Sequence, residues 1–389
     1  MKKLVVILIM AAVLLSSATV GWAQQWARPL PAHFPWPMPG WTAPAGGAAR
    51  APSAAGPGTL QAQVAKLTAA DGAAGDEFGW WLSAEGDTAF VASVLADVGG
   101  NADQGAVYVF RNEGWPNLWS QVAKLTADDG AAGDGFGWSV SVGGDIAVIG
   151  AAWADVGSRI DQGAAYVLYR NQGGPDAWGQ VAKLTAADGA AGDWFGCDVD
   201  LRDDTAVVGA WYADVGGNAD QGAAYVFYRN QGGPDAWGQV TKLTADDGAA
   251  GDGFTLLSLS GDTLAVGALW ADVASNADQG AAFIFYRNQG GPDNWGQVAK
   301  LTQSDGGPGD WFGSAVSVSG DTTLVSAGLA DVGSNADQGA AYIFYRDQGG
   351  SDAWGQVAKL TSDDGAAGDA FGLYPSLGGD TATRPLPRP

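Results

Sequence analysis

The sequence predicts an all-β protein built from tandem copies of one four-stranded antiparallel unit. Three observations carry that expectation. The phrase Lys-Leu-Thr, followed by an Asp-Gly/Gly-Asp turn and then Phe, returns six times, with its lysine at Lys66, Lys124, Lys183, Lys242, Lys300 and Lys359. The intervals are 58, 59, 59, 58 and 59 residues, which marks one supersecondary module copied in tandem. Inside each copy, apolar residues alternate or run in short blocks between Gly, Pro and Asp, with no helical periodicity.

The second copy shows the elements in order. Phe136, Trp138, Val140 and Val142 share one parity and Gly137, Ser139 and Ser141 the other, the period-two pattern of a strand with one large and one small face. Gly143-Gly144-Asp145 is a tight hairpin turn. Ile146 to Ala151 is a nearly continuous apolar run, suited to a strand covered on both faces. The loop Ala154 to Gly163 leads to a third strand, Ala164 to Tyr169, and the loop Asn171 to Asp176 leads past Trp178 to a fourth, Gln180 to Thr185. Four such strands per period make a β-propeller blade, whereas a parallel β-helix would need much shorter repeats. Each Phe or Trp opening strand one then contributes about 1.5–3 kcal/mol by burial on a neighbouring blade. Trp119, Trp178, Trp237, Trp295 and Trp354 are expected to pack under the loop between strands three and four, the alternative being ligand platforms on one rim.

Phe-Gly opening strand one (Phe78-Gly79, Phe136-Gly137, Phe195-Gly196, Phe312-Gly313, Phe371-Gly372) and Gly-Ala closing strand two (Gly150-Ala151, Gly209-Ala210, Gly267-Ala268) resemble the FG-GAP repeat. The resemblance covers residues 61–383 and implies the seven-bladed propeller of integrin α-subunit heads and of many secreted bacterial proteins. It does not specify a function, since one fold hosts many.

The copies are not identical. The fourth reads Phe254-Thr255 in place of Phe-Gly and is one residue short. The first reads Val91-Ala92-Ser93 and the fifth Val325-Ser326-Ala327 where Val-Gly-Ala is expected. The sixth offers a strand over Phe371 to Leu377, interrupted by Pro375, and lacks strands two and three. The expected architecture is therefore five complete four-stranded antiparallel blades plus a partial, composite sixth, joining an N-terminal strand at Gln63 to Thr68 with a C-terminal fragment at Phe371 to Thr383. Edges left open there would invite aggregation or dimerisation, and oligomeric state stays open.

Met1-Lys2-Lys3, an apolar run of 12 residues from Leu4 to Leu15 and small residues ending Gly21-Trp22-Ala23 read as a signal peptide over 1–23. The run is short of the roughly 20 residues that span a bilayer, so the mature chain is expected to be secreted, extracellular or periplasmic, with no membrane span after cleavage. Residues 24–60, rich in Pro, Ala, Gly and Trp and holding the only histidine, His33, read as a linker, and 384–389 as an irregular tail. Forty-two acidic against 19 basic residues give a net charge of -23, which disfavours nucleic acid and anionic membranes and favours cations or plain solubility. The single Cys197 cannot form an internal disulfide and reads as a small buried hydrophobe.

Because strands alternate direction, the loop entering strand one and the loop joining strands two and three emerge on one face, and both carry aspartates. Asp129, Asp134, Asp155 and Asp161 belong to the second unit, and Asp188, Asp193, Asp214 and Asp220 to the third. Asp247, Asp252, Asp272 and Asp278 belong to the fourth, and Asp305, Asp310, Asp331 and Asp337 to the fifth. With Asn218 or Asn276 and bent backbone nearby, such a ring supplies the oxygen ligands calcium prefers. The competing expectation is Asx turns that cap their own backbone. The Asp-x-Asp-x-Asp-Gly loop that the resemblance implies between strands one and two is absent, that connection being Gly143-Gly144-Asp145 or Arg202-Asp203-Asp204, so the family's metal sites do not carry over.

The repeats contain no histidine, no thiol pair and no Glu beyond Glu113, and no aspartate stands out, so no catalytic group or cofactor other than calcium is indicated. The expected function is a non-catalytic binding or adhesion module that engages an extracellular protein or glycan through loops on one face. A structural envelope or matrix protein without a specific ligand is the alternative, favoured by the near-identity of the loops, and a hydrolase on a propeller scaffold is a third. The loops that differ are Ser158-Arg159-Ile160 and Ala274-Ser275.

Overall fold

Why the repeat places a glycine after its phenylalanine is answered by the innermost strand of each blade. In the computed structural model, which describes residues 65–114, 118–378 and 381–383, that strand starts with a bulge against strand two. Gly196 adopts φ 93° inside the bulge, a conformation open to glycine and strained for other residues. In the fourth blade the bulge is one residue shorter, with Phe254 opposite Ala268 and Leu256 opposite Gly267. Thr255 there has no left-handed backbone, so the shortened unit and the lost glycine are one change.

Five four-stranded antiparallel blades result. The first is β1 (Phe78–Glu85), β2 (Thr88–Ser93), β3 (Ala106–Asn112) and β4 (Trp119–Leu125). The second is β5 (Phe136–Gly143), β6 (Ile146–Ala151), β7 (Ala164–Arg170) and β8 (Trp178–Leu184). The third is β9 (Phe195–Arg202), β10 (Thr205–Ala210), β11 (Ala223–Tyr228) and β12 (Gly238–Leu243). The fourth is β13 (Phe254–Ser260), β14 (Thr263–Ala268), β15 (Ala281–Tyr286) and β16 (Gly296–Leu301). The fifth is β17 (Phe312–Ser319), β18 (Thr322–Ala327), β19 (Ala340–Tyr345) and β20 (Gly355–Leu360). A two-stranded sheet, β21 (Ser376–Gly378) with β22 (Thr381–Thr383), begins the sixth, and no helix occurs among the described residues.

Each blade buries its faces on its neighbours. Phe195 is wholly buried, edge-on to Tyr225 at 5.5 Å and Phe227 at 5.9 Å in its own blade, in a core shared with Val148, Ala165 and Val167 of the second. The Gly-Ala that closes strand two permits the approach: a Cβ on Gly150 would collide with the Gly196 carbonyl of the next blade. Innermost strands leave backbone N–H groups without a ladder partner, and a side chain from the preceding blade takes each one. Ser83 accepts from Val142 N at 3.1 Å, Ser141 from Leu201 N at 3.1 Å, Asp200 from Leu259 N at 2.7 Å, Ser258 from Val318 N at 3.0 Å and Ser317 from Leu377 N at 3.0 Å. This chain of bonds runs from the first unit to the sixth and surrounds a central cavity.

Of the tryptophans at the start of strand four, Trp178, Trp295 and Trp354 are buried and Trp119 and Trp237 half-buried, and they tie blades together. Trp237, Trp295 and Trp354 each donate Nε1 to a tyrosine hydroxyl of the preceding blade, Tyr169, Tyr228 and Tyr286, at 2.8 Å. Trp178 finds no partner, because the first blade has Arg111 where the second has Tyr169, and Arg111 pairs instead with Asp176.

The sixth unit differs in detail from the sequence reading. The strand expected over Phe371 to Leu377 is confined to Ser376–Gly378, because Pro375 has no N–H for a ladder and the preceding residues form turns. Thr381–Thr383 supplies the start of a second strand that was not expected. Ala65 to Thr68 lie in no strand; Leu67 packs against the core of the first blade instead, and Gln63 and Val64 lie outside the described residues. The ring is accordingly not closed among the described residues, and β1 is half-buried where β5 and β9 are covered. The signal peptide, linker and tail expected over 1–23, 24–60 and 384–389 also lie outside them.

Gly196→Ala puts a Cβ onto the Ala164 carbonyl in a left-handed conformation, whereas Gly157→Ala, at φ 65°, meets nothing within 4 Å. Chemical denaturation should show a loss of about 3 kcal/mol or more for the first and about 1 kcal/mol for the second. Equal losses would remove the interface argument.

Candidate binding face

Backbone bonds confirm that the two aspartate-bearing loops share one face. The loop after strand two of one blade accepts from the loop entering the next: Gly192 N bonds Ile160 O at 2.9 Å, Trp194 N bonds Asp161 O at 3.3 Å and Phe195 N bonds Gln162 O at 2.8 Å. The same clasp recurs between the third and fourth blades through Gly251 N to Ala219 O and Phe254 N to Gln221 O.

Within this face the aspartates fall into four positions per unit. Asp129, Asp188, Asp247 and Asp305 pair with Lys183, Lys242, Lys300 and Lys359 at 2.6, 2.8, 2.7 and 2.6 Å. Burial works against the charge of Asp188 and Asp305, but Lys242 with Tyr225 OH, and Lys359 with Tyr342 OH, outweigh it and hold both carboxyls below their ordinary range. Asp134, Asp193, Asp252 and Asp310 are buried and accept from the backbone of Ala131, Ala190, Ala249 and Gly307 at 2.7–2.8 Å. Their burial raises all four. Asp155, Asp214, Asp272 and Asp331 accept from the backbone N of Asp161, Asp220, Asp278 and Asp337 at 2.9–3.0 Å, and these last four sit at φ 52–55°. Loop closure is thus the work these carboxylates visibly do. Among the described residues no group of three or more such side chains is placed to hold a metal ion.

Asn218 and Asn276 turn their amide nitrogens inward. Asn218 Nδ2 donates to Gln221 Oε1 at 2.9 Å and to Gly248 O at 3.0 Å, and Asn276 does the same with Gln279 and Gly306. In the second unit Arg159 takes over the bond to Gln162 at 3.2 Å, which explains the odd loop there. The only sequence signal for these buried glutamines is the recurrence of Asp-Gln-Gly in every complete unit.

Aromatic residues are distributed unevenly over this face. Trp80 lies 5.1 Å from Trp138, Trp138 lies 4.6 Å from Trp153, and Trp194 lies 6.0 Å from Trp153 and 5.0 Å from Tyr212. Trp211 continues the row to Trp270 at 5.6 Å. The position after strand two is aromatic only in the second, third and fourth units; the first and fifth have Leu95 and Leu329. Trp211 Nε1 and Tyr212 OH are buried without a hydrogen-bond partner, which costs about 1–3 kcal/mol each unless a water or ligand serves them.

A second feature lies on the disc axis. A cavity of about 330 Å³ is lined by the inner strands of the five blades and by the turn ahead of β21, with Trp81, Ser141, Asp198, Leu257, Ala315 and Tyr374 as one wall residue from each unit. Asp198 and Asp200 of β9 were not flagged as unusual in the sequence, yet the period aligns them with Ser139 and Ser141 of β5. Burial, with the neighbouring Asp200 charge added, pushes Asp198 up to about 8 against the pull of the Leu257 amide. Burial likewise raises Asp200. Cys197, beside them, is buried as expected, 3.2 Å from Thr255 Oγ1, with its thiol pushed up to about 12.

The FG-GAP repeat family profile matches residues 62–110, 119–168, 178–227, 237–285, 295–344 and 354–383. The chain belongs to the FG-GAP repeat family. No curated protein matches it. The four central FG-GAP repeats open at the outer strand of one blade and end on strand three of the next, as 178–227 runs from β8 to β11. The repeat is therefore the blade interface itself, with the aspartate loop at its centre.

Because native Asp198 keeps a proton that the unfolded carboxyl, at its ordinary 3.8, gives up, its contribution is most favourable at acid pH and declines as pH rises toward about 8. Asp198→Asn, which retains an acceptor for Leu257 N, should flatten the decline in denaturation midpoint between about pH 5 and about pH 8. Parallel profiles for the two proteins would contradict the burial argument.

Proposed function

We propose that this FG-GAP repeat protein is a secreted, non-catalytic binding module that engages an extracellular protein or glycan through its aspartate-bearing face. One observation carries the reading: the row from Trp138 through Trp153, Trp194, Tyr212 and Trp211 to Trp270 is concentrated in the second to fourth units. A disc that served only as a structural filler would repeat its faces evenly, and a specific site needs some loops to differ. Trp153, Trp211 and Trp270 are half-buried and give contact area at small entropic cost, above the buried Trp138, Trp194 and Tyr212. The hydrogen-bonded aspartate loops hold those rings in place before a partner arrives.

Secretion is supported by the apolar N-terminal run; among the described residues no helix is long and apolar enough to cross a membrane. Calcium enters this reading only as an ion that displaces lysines and backbone amides from the carboxylates, so the loops should melt at the same temperature with calcium or with chelator. A shift in midpoint would add an ion to the site.

Immobilised glycans and matrix proteins should include one that binds the mature chain. Trp153→Ala and Trp270→Ala, each in a folded protein, should weaken that binding by about tenfold or more. A silent screen, or binding indifferent to both substitutions, would leave the structural reading in its place.

A further inference from the structure

The central cavity holds a buried carboxyl group that the described residues leave without a cation partner. Asp198 is 7% exposed and contributes to the cavity wall. Its hydrogen bonds come from backbone amides, chiefly Leu257 N to Oδ2 at 2.8 Å, and among the described residues no lysine or arginine forms an ion pair with it. Asp200 is differently placed: it accepts from Ser141 Oγ, Leu201 N and Leu259 N and has Arg202 as its nearby cation. Arg202 itself donates Nε to Leu259 O at 3.0 Å.

Packing alone gives no reason for a carboxylate at position 198. The equivalent places are Ser139 in the second unit and Ala315 in the fifth. The one-residue-short fourth unit leaves Leu257 N needing an acceptor, yet a serine or asparagine would serve it without burying an ionisable group. Asp198 and Asp200 set two carboxyl groups against one guanidinium, Arg202, at the cavity, and a cation drawn by the chain's net charge of -23 takes the place of the proton that Asp198 otherwise keeps. Its other lining residues include Val140, Val199, Leu257 and Val316 beside Ser83 and Ser141, and its volume of about 330 Å³ suits a small ligand. Exposed Ala84 and Arg202, at the ends of β1 and β9, mark a mouth on the face opposite the aspartate loops.

We propose that this cavity is a second binding site, for a small organic cation of the alkylammonium or alkylguanidinium type, with Asp198 as the anchoring carboxylate and the valine and leucine walls covering the alkyl part. It lies apart from the aromatic face and does not depend on what that face binds. A hydrated metal ion fits less well, since one carboxylate and apolar walls offer few oxygen ligands.

Calorimetric titration of the full mature chain with n-butylguanidinium chloride tests the site. One saturable event per chain is expected, weakened roughly tenfold or more in Asp198→Asn. Ala315→Phe, which fills the cavity from the fifth blade's wall and leaves Asp198 untouched, should weaken it comparably. Circular dichroism establishes that each variant is folded, and Asp198→Ser, which copies the second unit, replaces Asp198→Asn if that protein does not fold. Absence of saturable binding, equal binding by the substituted proteins, or calcium binding lost in Asp198→Asn without any butylguanidinium response would each overturn the proposal.

Discussion

Contact between successive blades is the constraint on which everything else in this molecule depends. A single four-stranded blade has two apolar faces and no core of its own, so it is stable only between neighbours. Three kinds of contact join each pair. Phe-Gly of one blade sits on Gly-Ala of the last, as Gly196 does on Gly150; loop backbones bond across the interface at Phe195 N and Gln162 O; and inner-strand side chains such as Ser141 reach the next blade's amides.

The same constraint explains why the aspartates, so prominent in the composition, serve mainly as fasteners. A loop that crosses from the outer edge of one blade to the inner strand of the next must turn sharply without burying loose amides. Asp193 accepting from Ala190 N, and Asp214 from Asp220 N, meet that need within a few residues. Lys242 and Tyr225 then fix Asp188 to the blade below. Exposed pairs of this kind are individually weak, so their value lies in loop geometry more than in stability.

Departures from the repeat are where function concentrates. Aromatic residues at Trp153, Trp211 and Trp270 break the symmetry of one face, and Asp198 breaks the symmetry of the axis. Both cluster in the second to fourth units. The third blade also neighbours the shortened fourth, where Thr255 replaces glycine and meets Cys197. Regular units provide a rigid frame, and the irregular ones carry chemistry the frame does not require.

Blade number, strand order and the shared face of the aspartate loops were legible in the sequence, because period and alternation are local patterns and antiparallel connectivity fixes which loops share a side. Tryptophan packing at Trp178 and Trp354 was legible for the same reason. What tertiary structure alone decided was partnership across blades. In the sequence Asp198 is one aspartate among many; only when residues some 59 positions apart meet at the axis does it line a cavity and accept from Leu257 N of the next blade. Trp237 reaching Tyr169, the row of rings from Trp80 to Trp270, and the bulge that makes Gly196 necessary all depend on distances between segments far apart in the chain. Sequence specifies each strand's two faces; only assembly of the disc determines what each face meets.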